Sequence, residues 1–509
     1  MTLTAEQAAP AAADLPPLGE RLSDRLNPIL IKEVRQSLRG RYFRISFWIT
    51  LSLATVVGLG VLLLRSATHE DVGSMVHGPE FFVAIFACLA IATQILVPFS
   101  AFLSMGGEWD ENTYDLLVLS NLKPRQIVFG KVQSAAVQAL LLYASFGPFL
   151  VFAFLLRGLD LMAIFVGLAV SFAGSVLLSC LAVAMSSFSQ GRFARLVLMV
   201  LLVVILAQST FLTIAWAAQM MAFPGQLREP QVQQAIAAAI SIAIAVAAFF
   251  FASACARLAH PEENRSTGLR LMTLAAIAIA LFWITVIEGG SSIDDDVVMA
   301  GVIAGHIVLA MATLFFITEP EQLGRRVSVS LPRSGLNRAL MAPLLPGGAR
   351  ALLFYVLVSV LIAAWALIYS LIAEGHLIFT TGQLTVLAAL PLYGLIFLGI
   401  PSALFSSRLH SAQTRGLARV TILTLFVASI LVPALVGFIL GMPDWADFEH
   451  PLNVFTTIDE MLSRRGEYDD ARIVLAVGVI LCVLLSFKRV ARAAAELRDA
   501  KSAPSDSHA

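Results

Sequence analysis

Apolar runs of about 20 residues recur along this chain, and no other feature limits its fold so strongly, because an α-helix of that length crosses roughly 30 Å of hydrocarbon. Such runs lie at 43–64, 82–105, 132–156, 161–187, 194–221, 234–256, 271–287, 297–317, 351–372, 384–405, 418–441 and 471–487. In lipid a backbone N–H or C=O finds no water, so a spanning segment must satisfy its own hydrogen bonds, as an α-helix does. Charged residues make up 13% of the chain and the mean hydropathy is +0.84, whereas a soluble domain carries about 25% charged residues. The expected fold is an all-α polytopic integral membrane protein of about twelve transmembrane helices. Residues 1–26 have no apolar core, which predicts a cytoplasmic tail, no cleavable signal peptide and insertion directed by the first span. Cys88, Cys180, Cys255 and Cys482 all fall within apolar runs, where small apolar packing is the expected role rather than a disulfide framework.

Charge sets the orientation. With the N-terminus in the cytoplasm, 28 of the 34 Lys and Arg residues fall on the cytoplasmic side and the remaining 6 outside, the bias that orients membrane proteins. Both termini are therefore expected in the cytoplasm. The basic residues are scattered along membrane edges rather than gathered in one soluble domain, so nucleic acid is not an expected partner and the lipid bilayer is.

The interiors of the spans hold essentially no Asp, Glu, Lys or Arg. A carrier driven by protons or ions usually keeps such a group at membrane depth, at about 3 kcal/mol per central charge. His306 is the ionisable exception, and a hydrogen bond to a neighbouring helix is its expected role. Gln94, Gln138 and Gln208 are read as interhelical glue. Pro98, Pro148, Pro391, Pro401 and Pro433 interrupt spans and allow kinks.

Two cytoplasmic segments stand out. In NPILIKEVRQSLRGRYF, residues 27–43, Asn27 suits a helix N-cap and Pro28 the first helical position. Leu30, Ile31, Val34 and Leu38 recur at helical spacing beside Lys32, Arg35, Arg39 and Arg41, the pattern of a helix lying in the membrane interface. The second segment, residues 106–131, opens with Glu108, Asp110, Glu111 and Asp115 against the basic trend of its side, and Pro124 can open the third span. A short acidic, aromatic-bearing helix there suits docking of a soluble partner.

Both segments resemble the permease subunits of type 2 ATP-binding-cassette exporters. The residues that carry the resemblance are Asn27, Pro28, Lys32, Glu33 and Arg35, then Glu108, Thr113, Leu116, Leu117, Pro124, Gln126, Ile127, Gly130 and Lys131, and it is clear over about 27–200. The resemblance implies that 27–42 is an elbow helix carrying Asn27, Pro28, Lys32, Glu33, Arg35 and Arg39. It also implies that Glu108, Trp109, Asp110, Glu111, Thr113 and Tyr114 are coupling residues that receive force from a separate, soluble, dimeric ABC ATPase. The pattern GxxxxGK does not occur, so ATP is expected on that ATPase and not on this chain, which is expected to be a permease rather than an enzyme. No residue is assigned to catalysis or to a metal. The cell membrane, in bacteria the cytoplasmic membrane, is the implied location.

Subunits of that family have about six spans, half the number here, and an internal duplication would account for the excess. SSFSQGRFARLVLMVLLVVIL from Ser186 is loosely echoed by SSRLHSAQTRGLARVTILTLFVASIL from Ser406. The resulting division gives a first six-helix half at 43–257, a second at 258–487 in parallel orientation, and a cytoplasmic tail at 488–509. Loop 318–350 would then correspond to 106–131, but with Arg325, Arg326, Arg333 and Arg338 in place of an acidic helix, which implies weaker coupling through the second half. A secondary transporter with two six-helix halves, and a membrane scaffold or assembly protein, are the alternatives. For the scaffold the stretch 442–470 would bind an external partner, although a solvated acidic loop is the expected reading of it. A homodimer or a second permease subunit both fit a six-span half, and lipids, peptides, drugs and polysaccharides all remain open as substrates.

Overall fold

The computed structural model describes residues 28–67, 78–110, 123–188, 192–223, 225–260, 263–289, 294–332, 334–406, 409, 412–439, 451–462 and 469–499. The structure is 89% helical with no strand among the described residues, and twelve of its helices are long and apolar enough to span a membrane. The chain is an all-α polytopic membrane protein. It divides into two compact units, Met1–Leu227 and Arg228–Ala509.

The first unit holds an amphipathic helix, Pro28–Arg39, and five spans: Arg41–Ala67, then Gly78–Ile91 continued through Ala92–Leu96 into Val97–Asp110, Pro124–Leu155, Leu161–Phe188 and Arg192–Ala222. The third span starts eight residues before the predicted 132, because Pro124 supplies the fixed φ of a first helical residue and Gln126 Oε1 accepts the Lys123 N–H at 3.0 Å. The second span is the centre of the unit and packs against the first, third, fourth and fifth. Over its 18-residue apolar stretch 67% of the residues are buried, against 17% for the first span, which leaves Trp48, Ile49, Val56, Leu63 and Leu64 bare for lipid. Lipid tails are as apolar as these side chains, so the centre must be specified by close packing and by polar contacts rather than by hydrophobicity. Phe82, Ile85, Phe86 and Leu89 supply the packing at 0% exposure. Gln94, also 0% exposed, supplies the polar contacts: its Nε2 donates to Ser171 Oγ on the fourth span at 3.2 Å, and its Oε1 accepts from Thr213 on the fifth at 3.1 Å. Gln138 joins the third span to the second by accepting from Ser100 at 3.3 Å. The glue reading thus holds for Gln94 and Gln138, whereas Gln208 is exposed on the fifth span.

The second unit holds the spans Pro230–Leu258, Thr267–Glu288, Asp295–Phe316, Gly348–Glu374, Thr381–Gly394 continued through Leu395–Gly399 into Ile400–Phe405, Ala412–Ile439 and Asp469–Asp499. The sixth span packs on the seventh, where the Trp283 indole N–H donates to Ser241 at 2.5 Å. Ile277, Val298, Phe316, Phe354, Val358, Ile362 and Val386 form the core between the seventh, eighth, ninth and tenth spans. His306 is buried in the eighth span, but its Nδ1 lies 2.9 Å from the Val302 carbonyl of its own helix and its Nε2 has no partner among the described residues. It is a local bond rather than the expected bond to a neighbouring helix.

Two further expectations change. Residues 488–499, read as part of a tail, continue the twelfth helix to Asp499. The run of Ala, Arg, Glu and Leu there favours helix but is too polar to register as a span. Part of the stretch 442–470 is not a solvated loop: Val454–Leu462 is a helix whose Met461 is 0% exposed, seated on the tenth span. Gly382 admits this contact, since a Cβ there would run into the Met461 carbonyl oxygen.

The second and tenth spans are interrupted in the same way. Each begins with a 14-residue α-helix, Gly78–Ile91 or Thr381–Gly394, passes through a five-residue π turn, Ala92–Leu96 or Leu395–Gly399, and resumes with proline as the second residue, Pro98 or Pro401. A proline ring in an α-helix collides with the carbonyl four residues back, here Gln94 or Phe397, and a widened turn relieves that clash. The repeat joins the second span to the tenth, a different register from the echo between Ser186 and Ser406.

Candidate functional site

In the first unit the site is built on the roots of the segment 106–131. The helix Pro28–Arg39 turns Ile29 and Leu30 inward, 4% and 9% exposed, against the third span, and leaves Lys32, Arg35 and Arg39 on its exposed side. Of the apolar residues singled out in the sequence, Leu30 is buried and Ile31, Val34 and Leu38 are half-buried. Glu33 breaks the division between apolar and charged sides. It lies on the buried face at 7% exposure, and its Oε1 is 3.1 Å from Lys131 Nζ, itself only 2% exposed. Ser104, on the second span, donates to Glu33 Oε2 at 2.9 Å and accepts from Lys131 Nζ at 2.8 Å.

The three side chains close a triangle among three elements. Ser104 stands just before the segment, Lys131 is its last residue, on the third span, and Glu33 lies on the amphipathic helix. Each polar group finds a partner in the others, which a buried charge requires. The fourth span is tied to the same region: Ser186 donates to the Phe102 carbonyl at 2.8 Å, and Gly106 faces Ser186 and Arg195.

Among the residues named from the sequence, Glu33 enters this triad with Lys131. Ile127 and Gly130 are buried where the third span meets its neighbours, and Gln126 caps that span. Glu108, Trp109 and Asp110 lie on the last turn of Val97–Asp110, which carries the second span past Gly106 and Gly107 without a break; their side chains lie outside the described residues. Asn27, Glu111, Thr113 and Tyr114 also lie outside them, as does the side chain of Pro28, which opens the amphipathic helix. Ser104 carried no signal in the sequence, since a lone serine in a span is unremarkable until Glu33 and Lys131 are both seen beside it.

The second unit carries a larger polar assembly at one end. Arg270, 0% exposed, donates to Glu319 at 2.9 Å and to the carbonyls of Pro343 and Gly347, with its guanidinium 5.2 Å from the centre of the Phe316 ring. Arg350, 1% exposed, reaches Glu496 at 2.7 Å, and Arg489 reaches Glu321 and Ser402. Glu319 and Glu321 also accept the backbone N–H groups of Gly347 and Ala349, both at 3.0 Å. Gly347 adopts φ +126°, and a Cβ on Gly348 would stand 2.5 Å from the Ile317 carbonyl oxygen, so the pair of glycines lets the chain close over these arginines. The loop 318–350 is thus fastened to the seventh, ninth and twelfth spans. Of the four arginines singled out in its sequence, Arg326 makes an exposed pair with Glu263 at 3.6 Å, Arg325 is exposed, Arg338 is buried at 8%, and Arg333 lies outside the described residues.

Asp294, Asp295 and Asp296 gather at the start of the eighth span with carboxylate oxygens within 4.8 Å of one another. Asp294 accepts the Asp296 N–H as an N-cap, and Gln383 donates to Asp295 at 2.9 Å and to Asp296 at 3.4 Å, so the cluster caps one span and ties it to the tenth. Comparison with family models, with curated proteins and with solved structures finds no match for this chain.

Proposed function

We propose that the chain is the transmembrane permease subunit of an ATP-driven exporter of the type 2 ATP-binding-cassette kind, worked by a separate soluble ATPase through the segment 106–131. The observation that carries this reading is the triad Glu33, Ser104 and Lys131. A load applied to a segment is transmitted only if both its roots are held to something that moves as one body. Ser104 and Lys131 stand at those two roots, and Glu33 holds both to the helix Pro28–Arg39. That helix is the elbow of the proposal, its exposed Lys32, Arg35 and Arg39 directed to lipid head groups. The second span, which bears Ser104, also touches four other spans of its unit, so tilting it displaces all of them.

In this reading both termini and the segment 106–131 are cytoplasmic, as the sorting of Lys and Arg directs. The chain resides in the cytoplasmic membrane of a bacterium. Glu108, Trp109, Asp110, Glu111, Thr113 and Tyr114 meet the ATPase, a dimer that binds ATP. Exposed Gln208, a polar side chain within an apolar span, suits a contact with a second copy or another permease subunit.

The test is reconstitution of the chain with a GxxxxGK-bearing ATPase of the same organism that copurifies with it. ATP hydrolysis by the complex is expected to exceed that of the ATPase alone, and Glu33→Lys to remove the excess, with recovery in the charge-swapped pair Glu33→Lys/Lys131→Glu. Equal hydrolysis with and without the chain would refute the proposal.

A further inference from the structure

The second unit contains a cavity of about 410 Å³ at the end that carries the arginine assembly, a size within the usual range for small-ligand sites. Its wall is divided by chemistry. Arg338, Arg350 and Arg498 contribute one part, and Leu353, Val490 and Leu497 the other. Arg350 is matched by Glu496, but Arg338 donates only to the carbonyls of Pro332 and Leu497, and neither it nor exposed Arg498 has a carboxylate partner among the described residues. A guanidinium offers five N–H donors. Three of those on Arg338 are used, whereas Arg350 spends its terminal nitrogens on Glu496 and on the carbonyls of Glu321, Pro346 and Ala493. The cavity therefore has positive charge and unfilled donors suited to an anion with several oxygens.

The other part of the wall says what is attached to that anion. Leu353 is 39% exposed at the base of the ninth span, and the bare surface continues along Val356 and Leu357, at 40% and 47%, and along Leu484 and Phe487 of the twelfth span, at 68% and 67%. The short helix Gly335–Met341 beside the cavity turns Arg338 inward and leaves Leu336 and Leu340 bare at 71% and 69%. Apolar side chains so exposed beside buried arginines mark a surface lying at the membrane interface. We propose that this cavity binds an anionic phospholipid, its phosphate held by Arg338 and Arg498 and its acyl chain laid along Leu353 and the flanks of the ninth and twelfth spans. The site is independent of the exporter reading, because no residue of the first unit takes part.

The full-length chain, purified in a non-ionic detergent, is titrated with phosphatidylglycerol, phosphatidylcholine, glycerol 3-phosphate and inorganic phosphate, and bound adducts are counted by native mass spectrometry. Saturable one-to-one binding of phosphatidylglycerol is expected, with no saturable binding of phosphatidylcholine and no competition from either chain-free phosphate. Ala494→Trp, which fills the cavity from an exposed helical position, is expected to abolish the adduct. Arg498→Gln, exposed and without a bonded partner among the described residues, weakens it about fivefold, the loss of one interfacial charge, and decides the matter if Ala494→Trp does not fold. Absence of phosphatidylglycerol binding, equal binding of phosphatidylcholine, full competition by inorganic phosphate, or unchanged affinity in both folded variants would each overturn the proposal.

Discussion

At the scale of the residue, the decisive features are charges in places where charge is costly. Lys131 and Glu33 are almost wholly withdrawn from solvent, so removing one partner strands the other. Lys131→Met is expected to destabilise the protein by about 3 kcal/mol, read from the midpoint of denaturant unfolding in detergent, while Glu33→Leu/Lys131→Met recovers most of the loss. No recovery in the double variant would mean that the lysine stem, not the ion pair, holds the site. In the second unit Arg270→Met is expected to cost a similar amount, about 3 kcal/mol, because Glu319 and two carbonyls lose their donor. Arg326→Ala is the control. Its pair with Glu263 is exposed on both sides, and such pairs contribute about 0.5 kcal/mol or less. The sequence displays all of these charges but not their burial. Arg270 stands at the edge of an apolar run, where a basic flank is the ordinary expectation, and only the fold brings Glu319 to it. Glu33 likewise reads as one more charge on an amphipathic helix until its position on the inner face is known.

At the scale of the element, the positions of the twelve spans are legible because hydropathy averages over about 19 residues and tolerates local irregularity. The same averaging hides the π turns. Ala92–Leu96 reads ATQIL and Leu395–Gly399 reads LIFLG, alike only in the Ile and Leu common to any span, and Pro98 and Pro401 announce an interruption without saying of what kind. Pro148 and Pro433 sit inside helices with no such turn. A π turn carries one residue more than the α-helical turn it replaces, so deleting Ile95 should restore the α period and leave everything beyond it in nearly the same phase. The ring of Pro98 would then meet the carbonyl four residues back, a clash that the widened turn relieves. Helix content by circular dichroism is expected to be unchanged and the unfolding midpoint to fall; an unchanged midpoint would show that the turn does not relieve the proline. The helix Val454–Leu462 went unread for a different reason. Its acidic neighbours dominate the composition of 442–470, and the burial of Met461 is a tertiary fact.

At the scale of the whole molecule, the sorting of basic residues is a property that no single span reveals. With the native cysteines replaced, a cysteine at Asp160 or Arg228 is expected to react with a membrane-impermeant maleimide in intact spheroplasts, and one at Lys123 or Arg325 only after lysis. The reverse pattern would invert the topology and remove the segment 106–131 from the reach of any cytoplasmic ATPase. The two compact units meet in sequence between Leu227 and Arg228, after the fifth span, whereas the apolar runs alone suggest equal halves of six. Counting spans cannot show that the sixth packs on the seventh, because that depends on which faces of each helix are complementary. The central claim, that a soluble ATPase works this chain through the segment 106–131, is tested most directly by a photoreactive amino acid placed at Trp109 in the reconstituted complex. Cross-linking to the GxxxxGK-bearing ATPase, with a yield that changes on addition of ATP and a control at Phe223 that gives none, is the expected result; an equal yield at both positions, or none at Trp109 in a complex that hydrolyses ATP, would contradict it.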